Sequence, residues 1–365
     1  MKLIDPESKQ EYNCNSPIWI SPANNLLSIE FDAAFNLDAI KKKQSNLWRY
    51  EDAIAIDQKL GIVSMQEGFT PLEPITINKK KVYIKHEQLF STGSYKDRGA
   101  TTLISKVKQL GIDMVIQDSS GNAGCAIAAY AAKAGINCHI YLPENTSPNK
   151  IAQMQAYGAT IVKIKGNRQD TANATLKAAE KTYYASHSYN PWFFEGTKTF
   201  AFEICEQLGW KAPDAIVLPA GNGTLVIGCF IGFNQLAKAG IITKIPKIIA
   251  IQTQACNPLS IMFHENLPEL PSVESMATYA EGIAIAKPIR AKQIVSSVKE
   301  TKGTFISVNE EEIKTAWTEM ARIGNYIEPT SAATIAGLKQ YIKNNDDELV
   351  VSLFSGHGLK SKPLF

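Results

Sequence analysis

Lys96 sits in the run Ser94-Tyr95-Lys96-Asp97-Arg98-Gly99, and its setting bears on what its amine can do. The apolar run Val82-Tyr83-Ile84-Lys85 reads as a strand, Ser91-Thr92-Gly93 as a turn, and Ala100 to Leu110 as a helix ending at Gly111. A lysine where a loop enters a helix meets the positive end of the helix dipole, which eases its deprotonation. The neutral amine is the nucleophile that forms Schiff bases with carbonyls. The hexapeptide alone suits a solvated lysine in a first helical turn equally well, so the other loops have to decide.

Three further loops follow apolar strands. Asp118-Ser119-Ser120-Gly121-Asn122-Ala123-Gly124 offers backbone N–H groups and two hydroxyls at a helix start, a ready anion site, with Asn122 as a neutral donor. By itself this is also an ordinary strand-to-helix turn. Pro219-Ala220-Gly221-Asn222-Gly223-Thr224-Leu225 repeats the device more tightly, since Gly221 and Gly223 permit positive φ and close approach of a phosphate. It has neither the Gly-Lys-Thr of a Walker loop nor the third glycine of a dinucleotide fingerprint, so a phosphate cradle of another type fits better. Ser355 leaves the third strand in Ser352-Leu353-Phe354-Ser355-Gly356-His357-Gly358, where its hydroxyl either caps the next turn or meets a ligand. Open parallel sheets bind ligands at the carboxyl ends of their strands, which would bring these loops and Lys96 to a common crevice.

The elements that must position these loops alternate. Strands are expected at 114–118, 138–142, 160–164, 183–186, 215–219, 248–252, 304–308 and 349–354. Helices are expected at 124–134, 148–157, 169–181, 195–208, 224–239, 309–323 and 331–342. That order implies an α/β fold with open, twisted, mostly parallel sheets flanked by helices. Residues 1–50 read as a short antiparallel edge with a strand near 26–31, residues 51–61 as a helix, and Cys256–Lys292 as a long covering segment. A larger domain of 1–98 and 191–365, holding Lys96 and the Gly221 and Ser355 loops, and a smaller domain of 99–190, holding the Ser119–Asn122 loop, follow from where the motifs fall.

With 38 basic and 35 acidic side chains the net charge is +3, which is too balanced to imply nucleic acid or a membrane surface as partner. No apolar run reaches the length of a membrane span, and the N-terminus lacks a signal-peptide core, so a cytoplasmic protein is expected. The six cysteines contain no Cys-x-x-Cys pair and read as buried thiols, with no metal site expected.

The lysine hexapeptide resembles that of threonine synthases, within the tryptophan synthase β-like (fold type II) pyridoxal-phosphate enzymes. The resemblance extends in order and spacing to Glu67-Gly68-Phe69-Thr70-Pro71-Leu72, Ser120-Gly121-Asn122, Asn190-Pro191 with Glu195-Gly196-Thr197-Lys198-Thr199, Gly221-Asn222-Gly223-Thr224, Glu328-Pro329-Thr330-Ser331-Ala332-Ala333 and Ser355-Gly356-His357-Gly358. It implies that Lys96 holds pyridoxal 5′-phosphate as an internal aldimine and moves protons. Asn122 would face the ring hydroxyl, and Ser119, Ser120, Gly121, Asn122 and Ala123 the substrate carboxylate. Gly221, Asn222, Gly223, Thr224 and Leu225 would hold the cofactor phosphate, and Ser355 the pyridine nitrogen. A neutral hydroxyl there does not enforce protonation of the nitrogen, which makes the ring a weaker electron sink suited to elimination and replacement.

The implied activity is that of a lyase of the threonine synthase type acting on an amino acid, phosphorylated or not, and the resemblance allows a homodimer. A serine/threonine dehydratase or diaminopropionate-type ammonia-lyase is the alternative within enzymes. A non-catalytic ligand sensor or partner subunit is the alternative outside them. The chain departs from many threonine synthases at two phosphate-site positions, with Phe193 where they carry arginine and Leu225 where they carry asparagine. An apolar wall is expected there, unless Lys198 or Lys150 supplies the cation. The N-terminal region has only Cys14 where some relatives pair cysteines on zinc.

Overall fold

The structure, a computed structural model, describes residues 1–146, 148–166 and 168–361. The chain opens with three short strands, β1 (Lys2–Ile4), β2 (Glu11–Tyr12) and β3 (Ser28–Glu30), and the helix α1 (Leu37–Lys42). A hairpin of β4 (Leu72–Ile77) and β5 (Lys80–Lys85) follows, turning on Asn78 and Lys79, both at positive φ as two-residue hairpin turns require. Next come α2 (Lys96–Gln109), β6 (Met114–Gln117), α3 (Asn122–Ala134), β7 (Asn137–Pro143), α4 (Pro148–Ala156), β8 (Thr160–Ile164), α5 (Arg168–Ala178), β9 (Tyr183–Tyr184) and α6 (Trp192–Thr197). The remainder holds α7 (Thr199–Gln207), β10 (Ala215–Pro219), α8 (Thr224–Lys238), β11 (Lys247–Thr253), α9 (Pro258–His264), α10 (Ala291–Glu300), β12 (Thr304–Val308), α11 (Glu310–Arg322), α12 (Pro329–Asn344) and β13 (Val350–Leu353).

Contacts divide the chain into two compact units, Met1–Gly68 with Lys96–Thr197, and Phe69–Tyr95 with Lys198–Phe365. The first unit carries a parallel sheet ordered β8-β7-β6-β9 and the small antiparallel sheet β2-β1-β3. This grouping differs from the expected one, which placed residues 1–98 in the large domain. The reason lies in long-range bonds that the N-terminal segment makes. Glu67 accepts from Trp48 Nε1 at 2.8 Å and Tyr130 Oη at 2.9 Å, and Glu195 Oε2 accepts from Ala55 N at 2.6 Å. Val63 takes a bond from Thr101 Oγ1 at 2.7 Å and gives one to Ser105 Oγ at 2.8 Å. These tie residues 48–67 to α2, α3 and α6.

The second unit carries a sheet ordered β12-β11-β10-β13-β5-β4, parallel except for its antiparallel edge strand β4. One face is covered by α11 and α12, and Trp317, Ile335, Leu338, Val217 and Ile251 belong to its buried core. Inside this unit Lys85 and Glu203 form an ion pair at 2.9 Å with both side chains fully buried. Lys85 Nζ also donates to Thr70 O at 2.6 Å and Gln207 Oε1 at 2.8 Å, so the buried charge is matched.

Most expected elements are present within a few residues. The expected helix at 51–61 is instead two short 3₁₀ turns, 47–53 and 58–60. The expected helix at 195–208 is broken at Lys198 into α6 and α7, and the covering segment 256–292 contains α9. Among the described residues no helix is long and apolar enough to cross a membrane.

Candidate active site

Lys96 is the first residue of α2 and is half-buried, with Asp97 and Arg98 behind it fully buried. The two residues before it are fixed within the second unit. Ser94 bridges Gly356, Tyr95 N donates to Ser355 O at 3.1 Å, and Tyr95 Oη lies 3.1 Å from Thr224 Oγ1. Two of the expected loops therefore meet the peptide that leads into Lys96.

The Gly221–Leu225 loop joins β10 to α8, whose first turn presents backbone N–H groups that no residue of the helix itself can accept from. Gly223 is the N-cap residue at φ +65°, and a Cβ there would lie 2.3 Å from Ile294 Cδ1. At Gly221 a Cβ would lie 2.8 Å from Gly282 O. A loop kept bare in this way fits a phosphate. Ser94 Oγ is fully buried and makes no hydrogen bond among the described residues, as expected of a group facing a polar ligand. The residues present thus fit a phosphorylated cofactor.

In the first unit, Ser119, Ser120, Gly121, Asn122 and Ala123 join β6 to α3, with Gly121 as N-cap. Gly121 N donates to Ser119 Oγ at 3.3 Å, and Asp118 N to the side chain of Gln117 at 2.8 Å. Burial raises the pKa of Asp118, opposed by the Tyr184 hydroxyl and the charge of Arg168. His187 is pushed down to about 3, first by burial and then by the charges of Lys96 and Arg168. Tyr184 and Tyr189 pack with Trp19, ring centroids 5.1 to 5.7 Å apart.

The two departures from the phosphate-site pattern are fully buried. The Phe193 ring lies against α2, where a Cβ on Gly99 would fall 2.3 Å from it, and stands at 70° to His187 with centroids 6.1 Å apart. Leu225 is packed inside α8. Lys198, the cation offered in compensation, is also fully buried, and the side chain of Lys150 lies outside the described residues.

Two residues to which the sequence reading gave no role, Glu328 and Ser331, adjoin Ser355 in the second unit. Glu328, Ser331 and Ser355 form a buried hydrogen-bonded chain at the end of β13. Glu328 is the N-cap residue of α12, with Pro329 at the first helical position. Glu328 and Ser355 both lie in motifs the sequence reading quoted, but nothing in the sequence showed that they meet.

The profile of the family described as "Pyridoxal-phosphate dependent enzyme" matches residues 63–356. The chain belongs to that family. Its cofactor is pyridoxal 5′-phosphate and its class that of a lyase. The chain is 34% identical to a threonine synthase of Methanocaldococcus jannaschii, covering 96% of this chain and 90% of that one. It is 35% identical to a threonine synthase of Methanosarcina acetivorans, covering 97% and 91%. Among solved structures it is similar to serine racemase from Dictyostelium discoideum, at a TM-score of 0.67 and 26% identity, covering 79% of this chain and 92% of that one. Maize serine racemase, at a TM-score of 0.70 but 18% identity over 92% and 95%, shares the fold alone. These neighbours have the fold type II architecture of the tryptophan synthase β-like enzymes.

Proposed function

We propose that the protein forms threonine from O-phosphohomoserine, as a threonine synthase-type lyase located in the cytoplasm. The observation that carries this is the likeness to threonine synthases over nearly the whole chain, with Lys96 opening α2 directly after a segment pinned to Thr224 and Ser355. Six buried free cysteines suit a reducing compartment. A homodimer is the proposed assembly.

The cofactor, when bound, supplies an electron sink that lowers the cost of removing protons beside the substrate's amino group. The residue roles proposed are those the resemblance implies, and the position of Lys96 at the start of α2 and of the two loops at helix starts supports them. Lys96 holds the cofactor covalently, and its freed amine moves the proton at the substrate Cα. The bare Gly221–Leu225 loop binds the cofactor phosphate through backbone N–H groups, Asn222 and Thr224 included. Asn122 donates to the ring hydroxyl, and Ser355 faces the ring nitrogen. The Ser119–Ala123 loop orients the substrate carboxylate with hydroxyls and N–H groups at the start of α3.

A second reading is favoured by Phe193 and Leu225, which put no charge or amide where relatives bind a substrate phosphate. On that reading the enzyme removes ammonia from serine, threonine or diaminopropionate. Steady-state turnover of O-phosphohomoserine against these amino acids, following phosphate, keto acid and ammonia, tests the proposal. Phosphate release with threonine as product is the expected result. Keto acid from the unphosphorylated substrates alone would overturn it in favour of the second reading.

A further inference from the structure

Tyr95, the residue before Lys96, reaches the loop after β10 with its side chain. Its hydroxyl lies 3.1 Å from Thr224 Oγ1, a residue 129 positions along the chain, and both residues are buried. Each hydroxyl can donate or accept, so the bond holds in either direction. The base of the tyrosine is fixed through the backbone around it. Tyr95 N donates to Ser355 O at 3.1 Å, Ser94 bridges Gly356, and His357 N donates to Gly93 O at 2.9 Å. Lys360 Nζ donates to Thr92 O at 2.7 Å. The phenol therefore stands on a segment that strand-end residues already hold in place.

Its far end meets the loop at a telling position. Thr224 is the first residue of α8, in the turn whose backbone N–H groups have no acceptor within the helix. A threonine hydroxyl has three staggered positions, and its hydrogen-bond partner selects among them. The N-cap residue Gly223 has no side chain with which to do this, and no side-chain cap is formed there. The Tyr95 hydroxyl supplies such a partner from outside the loop.

Resting on the reading that the Gly221–Leu225 loop takes the cofactor phosphate, we propose that Tyr95 is a positioning residue of that loop, its hydroxyl fixing the Thr224 hydroxyl where a phosphate oxygen binds. A hydroxyl oriented beforehand binds without the cost of ordering it at that moment. The gain falls on the phosphate alone, so Tyr95 favours the phosphorylated cofactor over the same ring without its phosphate. Phenylalanine at this position keeps the ring and its packing and loses only the bond to Thr224.

The test compares wild type, Tyr95→Phe, Thr224→Val and the double variant, each stripped and then reconstituted with pyridoxal 5′-phosphate or with pyridoxal, which lacks the phosphate. Binding is read by visible absorbance, and the bound phosphate by phosphorus NMR. Tyr95→Phe should weaken pyridoxal 5′-phosphate about fivefold, the worth of one buried hydrogen bond. It should also move the phosphorus resonance, and leave pyridoxal affinity at the wild-type value. The double variant should bind little worse than Thr224→Val, because the two hydroxyls act as a unit. An equal loss for pyridoxal would overturn the inference, since Tyr95 would then act on the fold and not on the phosphate. A resonance moved by Thr224→Val but not by Tyr95→Phe would also overturn it, with the loop's role intact. A resonance unmoved by Thr224→Val would instead overturn the reading of the loop on which the inference rests.

Discussion

Two strand-to-helix loops, Ser119–Ala123 after β6 and Ala220–Leu225 after β10, share a design but hold their shapes by different means. In the second loop the geometry is enforced by exclusion. Gly223 stands at φ +65° with Ile294 where a Cβ would be, and the carbonyl of Gly282 closes the space at Gly221. In the first loop a Cβ on Gly121 would meet nothing nearer than Ser119 Oγ at 4.0 Å, and the turn is held by hydrogen bonds to the side chains of Gln117 and Ser119. A part that always grips the same phosphate gains from one rigid shape. A part that admits and releases substrate gains from room to adjust.

The sharpest way to break this contrast is Gly223→Ala. An alanine in the left-handed region costs about 1–2 kcal/mol, and overpacking against Ile294 about 1–3 kcal/mol more. The expected outcome is a loss of roughly 2–5 kcal/mol of stability by denaturant titration, with cofactor affinity lowered at least tenfold in a visible-absorbance titration. Unchanged affinity would mean that the loop is not the phosphate cradle.

The loops and strands were legible in the sequence because glycine and apolar periodicity are local signals. What was not legible depended on partners far along the chain. Residues 51–61 have helical composition, yet Ala55 N is taken by Glu195 and the Gln58 amide by Trp48 O, which leaves short 3₁₀ turns. The helix expected at 195–208 breaks at Lys198, beside Gly196, where a Cβ would lie 1.7 Å from Arg98 O. The same holds for the site. Ser355 could be picked out as a serine at a strand end, but its hydrogen-bond partners Glu328 and Ser331 lie 27 and 24 residues away along the chain.

Acid should loosen the unit that carries the adjustable loop. His187 belongs to it, is 6% exposed, and has its folded pKa depressed from 6.5 to about 3. The unfolded chain therefore binds a proton between those values while the folded protein does not. The stability gained from the neutral imidazole is fully present above pH 6.5 and is lost as pH falls towards about 3. The slope is about 1.4 kcal/mol per pH unit for one group. Asp118, with its raised pKa, acts in the opposite sense, contributing stability that is present below the ordinary carboxylate range and lost as pH rises through its folded value. Hydrogen exchange followed from about pH 7 to pH 5, a window that spans the unfolded histidine value, should show α3 and α5 opening before α12. His187→Gln should flatten the dependence, and an unchanged slope in that variant would remove His187 as its source.

The smallest effect is expected at Gly121→Ala, in the adjustable loop itself. Gly121 is exposed, its φ of −110° is open to any residue, and a Cβ there would meet nothing closer than 4.0 Å. Stability should therefore change by no more than about 0.5 kcal/mol. Gly124, in the first turn of α3, provides the contrast, because a Cβ there would lie 2.0 Å from Ser119 O, backbone that cannot swing aside. If the loop binds the substrate carboxylate, the added methyl at Gly121 should raise KM a few-fold, while the cofactor's absorbance and affinity remain at wild-type values. Loss of cofactor from Gly121→Ala would show that the first loop grips the cofactor just as the second does, and the division between a rigid grip and an adjustable one would fail. An unchanged KM would place the substrate carboxylate elsewhere.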